Sequence, residues 1–479
     1  MKKFVLVNVP SSENAYHSFR DFVASFPPIG LATIAAVLVK LGFDVKIIDG
    51  DAENLGLEET ATRTIKESPD YVGLTTMTAT MDISGAFFAM LKSELPNVTL
   101  IIGGPHASAL PEETLQEFAD VDIVVIGEGD ETIVELMAAL EEEKDIISVK
   151  GIAFRKEGHI VKSEKRPPIK NLKNLLLPAY HLLNFDLYWS YGWNNWVSGY
   201  RAPLGIVFTG RGCYGKCNFC AAHCVFGRGI RYFPIERIKN EIELLVNNYK
   251  IRVLYFQDDT FTANRKMVNQ ICDYLIEKGY NRRLEVMVSS RVDSIHLPTL
   301  KKMRRAGIRW ICFGVESGSQ IVLDRMQKKI TIKQIKDAYC KANAANLFIA
   351  GNFMIGHLGE TWETAMDTIN LACELKQDYA SFAIAIPFPG TELYQHCLDN
   401  DIDLPSWNDF GSVNSPPIPL NKSLDQASLL NLREIALNRF FKRPLYFLGI
   451  LIKFNAIAVV KDFLTMYLAI YKEKKAKRF

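Results

Sequence analysis

Along the first third of the chain, short apolar runs at residues 4–9, 45–48, 71–75, 98–102 and 122–126 alternate with longer stretches of helical spacing. Near-continuous apolar runs of this length belong to strands buried on both faces, so the pattern predicts a five-stranded parallel sheet covered by helices. The first helix is predicted over 28–41, with Pro28 at its start and Gly42 just past its end, and the last over 131–140. Residues 146–200 lose the rhythm. They hold Pro167-Pro168, a predicted hairpin (150–154 with 159–162) and an aromatic cluster, Tyr188, Trp189, Tyr191, Trp193, Trp196 and Tyr200, which reads as interdomain packing. A second alternating series at 205–209, 253–257, 284–289, 310–315, 348–355 and 379–386 predicts six βα units of a partial (β/α) barrel. Beyond residue 396 the chain turns helical. The expected division is therefore 1–145, a linker over 146–200, a barrel over 201–395 and a helical region over 396–479.

Sheets of this kind bind ligands at the carboxyl ends of their strands. In the first sheet those ends read Pro10-Ser11-Ser12, Asp49-Gly50, Thr75-Thr76-Met77-Thr78-Ala79-Thr80, Gly103-Gly104-Pro105-His106 and Gly127-Glu128-Gly129-Asp130. Glycines there let backbone approach a large flat ligand, and the threonines offer hydroxyls. The dinucleotide pattern G-x-G-x-x-G is not matched, which disfavours a nicotinamide domain. In the second series the ends carry three cysteines, Asp258-Asp259, Ser290-Arg291, Glu316-Ser317, His357 and Pro387-Phe388-Pro389.

Composition narrows the class. With 479 residues, 48% of them apolar, and 56 Lys plus Arg against 54 Asp plus Glu for a net charge of +2, the chain is neither disordered nor a basic nucleic-acid coat, so no nucleic-acid partner is expected. The charged start is followed by an apolar run too short for a signal peptide and interrupted by Asn8, and reads as a strand. The apolar stretch at 445–471 is broken by Lys453, Asn455, Lys461 and Asp462, so no transmembrane span is expected. Nine cysteines, an odd number mostly scattered, fit a reducing cytoplasm and a metal site better than a disulfide framework.

The segment Arg211-Gly212-Cys213-Tyr214-Gly215-Lys216-Cys217-Asn218-Phe219-Cys220 places three thiolates in a loop after a strand, a donor set suited to an iron–sulfur cluster or to zinc. Zinc would need His223 or Cys224 as a fourth ligand. C-x-x-x-C-x-x-C after the first strand of a six-unit barrel resembles the signature of radical S-adenosylmethionine (SAM) enzymes. That resemblance implies a [4Fe-4S] cluster on Cys213, Cys217 and Cys220, whose open iron chelates SAM. It also implies SAM contacts at later strand ends: Glu316 to ribose hydroxyls, Arg291 to the methionyl carboxylate, Asp259 at the amino group or nearby backbone. Cys224 reads as an ordinary thiol near the cluster.

Ahead of the barrel, Pro27-Pro28-Ile29-Gly30, Ile102-Gly103-Gly104-Pro105-His106 and Val125-Ile126-Gly127-Glu128-Gly129 are similar to the cobalamin-binding subclass of that superfamily, over nearly residues 1–395. The implied architecture is a flavodoxin-like (Rossmann-like) cobalamin domain, a partial (β/α)6 radical SAM barrel and a helical C-terminal segment. Cofactor-binding positions carried over are Thr75, Thr76, Thr78, Gly103, Gly104, His106, Gly127, Glu128 and Gly129. The D-x-H-x-x-G motif that donates a cobalt-ligating histidine elsewhere is absent, as is common in this subclass. His106 reads either as a corrin contact or as a structural hydrogen-bonder, and His17 as a weaker candidate.

The resemblance implies an enzyme that uses a 5′-deoxyadenosyl radical to methylate an unactivated carbon of a small, hydrophobic, lipid-like substrate, fed by an electron donor such as flavodoxin or ferredoxin. Oxidative ring formation on a porphyrin-like or lipid substrate is the alternative, and a cobalamin sensor with a structural cluster is the reading from another class. A methylthiotransferase acting on nucleic acid is disfavoured by the near-neutral charge. The C-terminal apolar stretch with its basic flank Lys472–Arg478 suits either a core helix with a solvated tail or an in-plane helix at the inner face of a membrane.

Overall fold

The computed structural model describes residues 1–10, 25–189, 202–410, 416–454, 457 and 459–460, with backbone alone at 444, 445 and 447. Ser11, Ser12, His17, Tyr191, Trp193, Trp196, Tyr200 and the basic tail lie outside the described residues.

Five parallel strands, β1 (Lys3–Asn8), β2 (Asp44–Asp49), β3 (Tyr71–Thr75), β4 (Thr99–Gly103) and β5 (Ile123–Val125), are extended by the antiparallel hairpin β6 (Ile152–Lys156) and β7 (His159–Lys162). The order β2-β1-β3-β4-β5-β6-β7 is the flavodoxin-like one, with its switch point between β1 and β3. Alternate side chains serve two separate layers. Val5, Val7, Val72, Leu74, Leu100 and Ile102 pack in one core, and Phe4, Leu6, Tyr71, Ile101 and Ile123 in the other, which is why the runs carry no polar alternation. The hairpin expected in the linker continues this sheet because β6 pairs with β5 and covers its edge. Helix Ile29–Lys40 stops where Gly42 takes a φ of 90°. Helix Gly129–Glu141 begins two residues before the expected start, so the Gly127-Glu128-Gly129 turn is its entry, with Glu128 as N-cap.

The second sheet holds β8 (Leu204–Val207), β11 (Val253–Phe256), β12 (Glu285–Ser290), β13 (Ile308–Glu316), β14 (Phe348–Ile355) and β15 (Tyr379–Ile384), all parallel in the order β15-β14-β13-β12-β11-β8. A two-rung ladder of β9 (Gly210–Arg211) and β10 (Arg231–Tyr232) flanks the cysteine loop. Val286, Val288, Ile311, Phe313 and Ile349 face the outer helices, whereas Val253, Met287, Trp310 and Phe348 face inward. The inward group is met by the C-terminal segment: helix Pro444–Lys453 buries Ile450, and Phe454 stacks on Trp310 with centroids 5.5 Å apart and planes 9° from parallel. Lys453 Nζ reaches Asp378 Oδ1 at 2.5 Å. This segment therefore floors the barrel at the amino ends of its strands, while Leu448, Ile452 and Ile457 on its other side are exposed. No helix among the described residues is long and apolar enough to cross a membrane.

The two sheets turn their carboxyl ends toward each other. Short helix Pro105–Ala109, after β4, packs on short helix Ala222–Phe226, after the cysteines. A Cβ on Gly390, in the loop after β15, would lie 2.5 Å from Cys224 Sγ and 3.1 Å from Ala109 Cβ, which shows how tightly three segments converge. Tyr188 from the linker is buried and donates to Asp49 Oδ2 at 2.8 Å. The two domains are joined by charge. Arg211 Nη1 contacts Glu128 Oε1 at 2.7 Å and Asp130 Oδ2 at 2.8 Å, and Arg231 Nη1 contacts Glu128 Oε2 at 2.6 Å. Ile169 N–H donates to Glu128 Oε2 at 2.9 Å.

Two outcomes follow from this packing. Arg211→Met leaves Glu128 short of one cation and Asp130 without its pair, and should cost about 3 kcal/mol; hydrogen exchange should speed up in 129–141 and 222–226 together, with Arg211→Lys restoring only part because it lacks the two-pronged geometry. Glu285 is buried at the barrel floor, where Trp310 Nε1 donates to it at 3.1 Å, and burial pushes its carboxyl up to about 7. Between the unfolded value near 4.5 and about 7 the folded state holds the extra proton, so this group's contribution falls as pH rises through that window and is flat above it. Glu285→Gln should remove about 3 kcal/mol of that decline, measured as urea midpoints from pH 5 to 8 followed by tryptophan fluorescence.

Candidate functional site

Cys213, Cys217 and Cys220 lie between the β9–β10 ladder and helix Ala222–Phe226, the first and third partly exposed and Cys217 buried. Gly215 makes room between two of them. A Cβ there would lie 3.4 Å from Cys213 Sγ and 3.7 Å from Cys217 Sγ, and the Gly215 N–H donates to Cys213 Sγ at 3.3 Å. Donors of this kind stabilise thiolates gathered around a cluster. Burial, with Asp259 and the other two cysteines adding to it, pushes the Cys220 thiol up to about 11, so ionisation there needs positive charge nearby.

Among the described residues, no three His, Cys, Asp or Glu side chains are drawn together closely enough to hold a metal ion. The would-be fourth zinc ligands also point elsewhere: His223 Nδ1 lies 2.9 Å from Cys220 O, and Cys224 Sγ faces the carbonyl of Gly390 at 3.8 Å.

Positive charge is supplied by two buried cations. Arg291 Nη1 approaches Cys217 Sγ at 3.8 Å, while Nε and Nη2 contact Asp293 at 3.0 and 2.8 Å and Nη2 also donates to Lys328 O at 2.7 Å. The Tyr214 ring lies 5.1 Å from the guanidinium and its hydroxyl donates to Asp293 at 2.9 Å. Arg291, expected on a methionyl carboxylate, thus spends most of its donors on Asp293 and backbone and turns one toward the cluster loop. Lys328 is buried and reaches Glu316 Oε1 at 2.7 Å.

Glu316 itself stands at a register shift between β13 and β14, with a φ of 68°. A non-glycine residue held in that region at the end of a barrel strand is strained, and the bulge re-aims its carboxylate. Asp259, the other expected SAM contact, is exposed at the end of β11. Its neighbour Asp258 is buried: Oδ1 accepts from Thr209 N–H (2.9 Å), Thr209 Oγ1 (3.0 Å) and Gly210 N–H (3.1 Å), Oδ2 meets no donor among the described residues, and burial pushes the carboxyl up to about 7. Asp258 so anchors the strand that leads into the cysteines.

On the first sheet, Thr76 donates through both N–H and Oγ1 to Gly103 O at 2.8 and 3.0 Å, closing the β3–β4 crevice. Gly104 has a φ of 99°, and a Cβ there would strike Thr76 N and O at 2.7 Å and Thr75 Oγ1 at 2.8 Å, so only glycine fits. Thr78 Oγ1 lies 3.3 Å from His106 Nδ1, and the His106 ring sits edge-on to Trp407 with centroids 4.8 Å apart. Trp407 comes from the C-terminal region and also bonds Glu117 Oε2 at 2.7 Å. His106 is 2% exposed, and burial pushes its imidazole down to about 4. The Gly127 N–H donates to Ser108 Oγ at 2.9 Å, and a Cβ added there would lie 3.5 Å from Val225 O. Glu128, expected at the corrin, has both oxygens engaged by the barrel arginines. Gly129 lets Ile34 pack close, 2.9 Å from the place of a Cβ.

Lys328, Asp258 and Asn218 were not singled out from sequence as site residues. Only Asp258 carried a signal, the acidic doublet after β11; Lys328 lies in an ordinary basic run, and the path of the chain alone brings it to Glu316.

Comparison with known proteins agrees with this arrangement. The family model described as B12 binding domain matches residues 20–137, and that of the radical SAM superfamily matches residues 207–372. A protein of Pyrococcus horikoshii named as an uncharacterized methyltransferase is 34% identical over 441 residues, covering 92% of this chain and 93% of its own. An anaerobic magnesium-protoporphyrin IX monomethyl ester cyclase of Cereibacter sphaeroides is 28% identical over 443 residues, covering 90% of this chain and 70% of its own. Among solved structures, the radical S-adenosylmethionine methyltransferase TsrM from Kitasatospora setae, with cobalamin and a [4Fe-4S] cluster bound, superposes with a TM-score of 0.67 at 16% identity, over 83% of this chain and 76% of its own, and so shares the fold. A [4Fe-4S] cluster, SAM and cobalamin are the cofactors of this domain pair. Two family models in tandem and a relative collinear with it over more than nine-tenths of both chains show that the chain belongs to the radical SAM superfamily, as an enzyme of the group that carries an N-terminal B12-binding domain.

Proposed function

We propose that this enzyme methylates an unactivated carbon of a small, uncharged to hydrophobic molecule. The observation that carries the reading is the opposition of the two carboxyl edges, with the glycine turns of the first sheet held against the segment that follows the cysteines. When bound, the cluster with SAM supplies radical initiation and cobalamin supplies the methyl group. Cys213, Cys217 and Cys220 would hold the cluster, Arg291 and Lys328 would offset the negative charge of the thiolates, Glu316 would meet the ribose hydroxyls of SAM and Asp259 its amino group or the nearby backbone. Thr75, Thr76, Thr78 and the Gly103-Gly104 and Gly127 turns would line the corrin.

Substrate class is read from the barrel wall. By alternation from Val253, Met287, Trp310, Phe348 and Tyr379, the inward positions above the floor are Tyr255, Ser289, Cys312, Ala350, Asn352 and Ser381, all neutral, with Tyr255 and Ser289 bonded at 2.8 Å. A neutral wall over an aromatic floor suits an uncharged molecule with an apolar end. The electrons would come from a small donor such as flavodoxin or ferredoxin.

Anaerobic reconstitution with iron, sulfide and hydroxocobalamin, then removal of free cofactor, should leave near-stoichiometric cobalamin and four irons per chain, and 5′-deoxyadenosine should form from SAM under reductant. Replacing all three cysteines by alanine should abolish deoxyadenosine formation and leave cobalamin binding intact. Gly104→Ala should do the reverse, weakening cobalamin retention about tenfold or more through a backbone shift while the cluster still assembles. A product heavier by one methylene supports methylation; a product lighter by hydrogens alone assigns the oxidative cyclase instead.

A further inference from the structure

Within the cysteine loop, Asn218 lies between the second and third cysteines and is buried. Its backbone N–H donates to Met326 O at 3.2 Å and its Nδ2 to Arg325 O at 2.9 Å. With the amide nitrogen committed to a carbonyl, Oδ1 must be the atom that faces His357 Nε2 at 2.9 Å. An amide oxygen only accepts, so the imidazole carries its proton on Nε2.

His357 follows β14 and is fully buried. Burial pushes it down to about 4, in keeping with a neutral ring. The loop around it is fastened on each side. His357 O accepts from Asn421 Nδ2 at 3.2 Å and from Glu360 N–H at 3.0 Å, the Glu360 carboxylate accepts from Gly356 N–H, and Gly359 O accepts from Arg325 Nη1 at 2.5 Å. The stretch that carries Arg325 and Met326 also carries Lys328, the partner of Glu316. Asn218 is therefore the point at which the cysteine loop, the loop after β14 and the Lys328 segment are tied together.

We propose that His357 is a positioning residue for the cluster: its Nε2–H, through Asn218, fixes the Cys217–Cys220 step of the loop before the cluster is built and holds the polar surroundings of the cluster constant afterwards. Its ring bonds to Asn218 and to neither cysteine sulfur, so its effect is transmitted by one neutral hydrogen bond. Losing that bond in a buried setting shifts a local equilibrium by about fivefold.

In the apoprotein, iodoacetamide labelling of Cys217 and Cys220 is followed by peptide mass spectrometry, with Cys272, fully buried in helix Arg265–Glu277, reporting global opening. His357→Ala should label the two loop cysteines about fivefold faster, and His357→Gln, whose amide N–H can reach the same oxygen, should label near the wild-type rate. Cys272 should not change in either. After reconstitution, an EPR-monitored redox titration should show a shifted cluster potential in His357→Ala and a restored one in His357→Gln. Equal labelling in all three proteins, labelling of Cys272 that rises in step with the loop, or an unchanged potential in His357→Ala would overturn the proposal. Should His357→Ala fail to fold, Asn218→Leu removes the acceptor while keeping the imidazole, and the same labelling and potential changes are expected of it.

Discussion

The geometry of this enzyme depends on the buried contact of Arg211 with Glu128 and Asp130. A salt bridge in the interior earns little net stability, because desolvating the charges costs nearly what their attraction returns. What it fixes is placement: a carboxylate from the entry turn of one domain's helix and an arginine two residues ahead of the first cluster cysteine cannot separate without leaving a charge unpaired. Both carboxyl edges are held in opposition by that penalty, with the neutral contacts of Ala109, Cys224 and Gly390 filling the space beside it.

Polarity within the barrel is layered. At the floor, Trp310, Phe348 and Phe454 exclude water and raise the Glu285 carboxyl; along the wall the inward side chains are neutral; at the rim Arg291 and Lys328 converge near Cys217. Cations at the rim lower the cost of ionising the Cys217 thiol, while the inward side chains of the wall below are neutral. The strained conformation of Glu316 sits at the boundary between these layers, where the β13 bulge turns its carboxylate toward Lys328.

Hydrophobic rhythm revealed both sheets because each strand feeds two cores, and that requirement writes itself into every run from Phe4 to Tyr379. The cysteine spacing and the residues after each strand likewise placed Arg291, Asp259 and Glu316 at one end of the barrel. Contacts between segments far apart in sequence were not legible. Nothing local distinguishes Lys328 from its basic neighbours, Glu128 from a corrin-facing acid, or a free-standing 150–162 hairpin from one that extends the first sheet; each is decided by what another part of the chain brings alongside. His106 shows the limit well, since the tryptophan that buries it stands about three hundred residues downstream.

That tryptophan has a bearing on how the protein is made. Trp407 and Asn408 bond Glu117 and Asp82, closing loops of 290 and 326 residues. Chain entropy makes such contacts late in folding, and on a ribosome the first sheet is complete long before its latch has emerged. The His106 crevice is thus finished only when residues 407–408 have emerged, well after the first sheet around it, so the first domain is begun early and closed late.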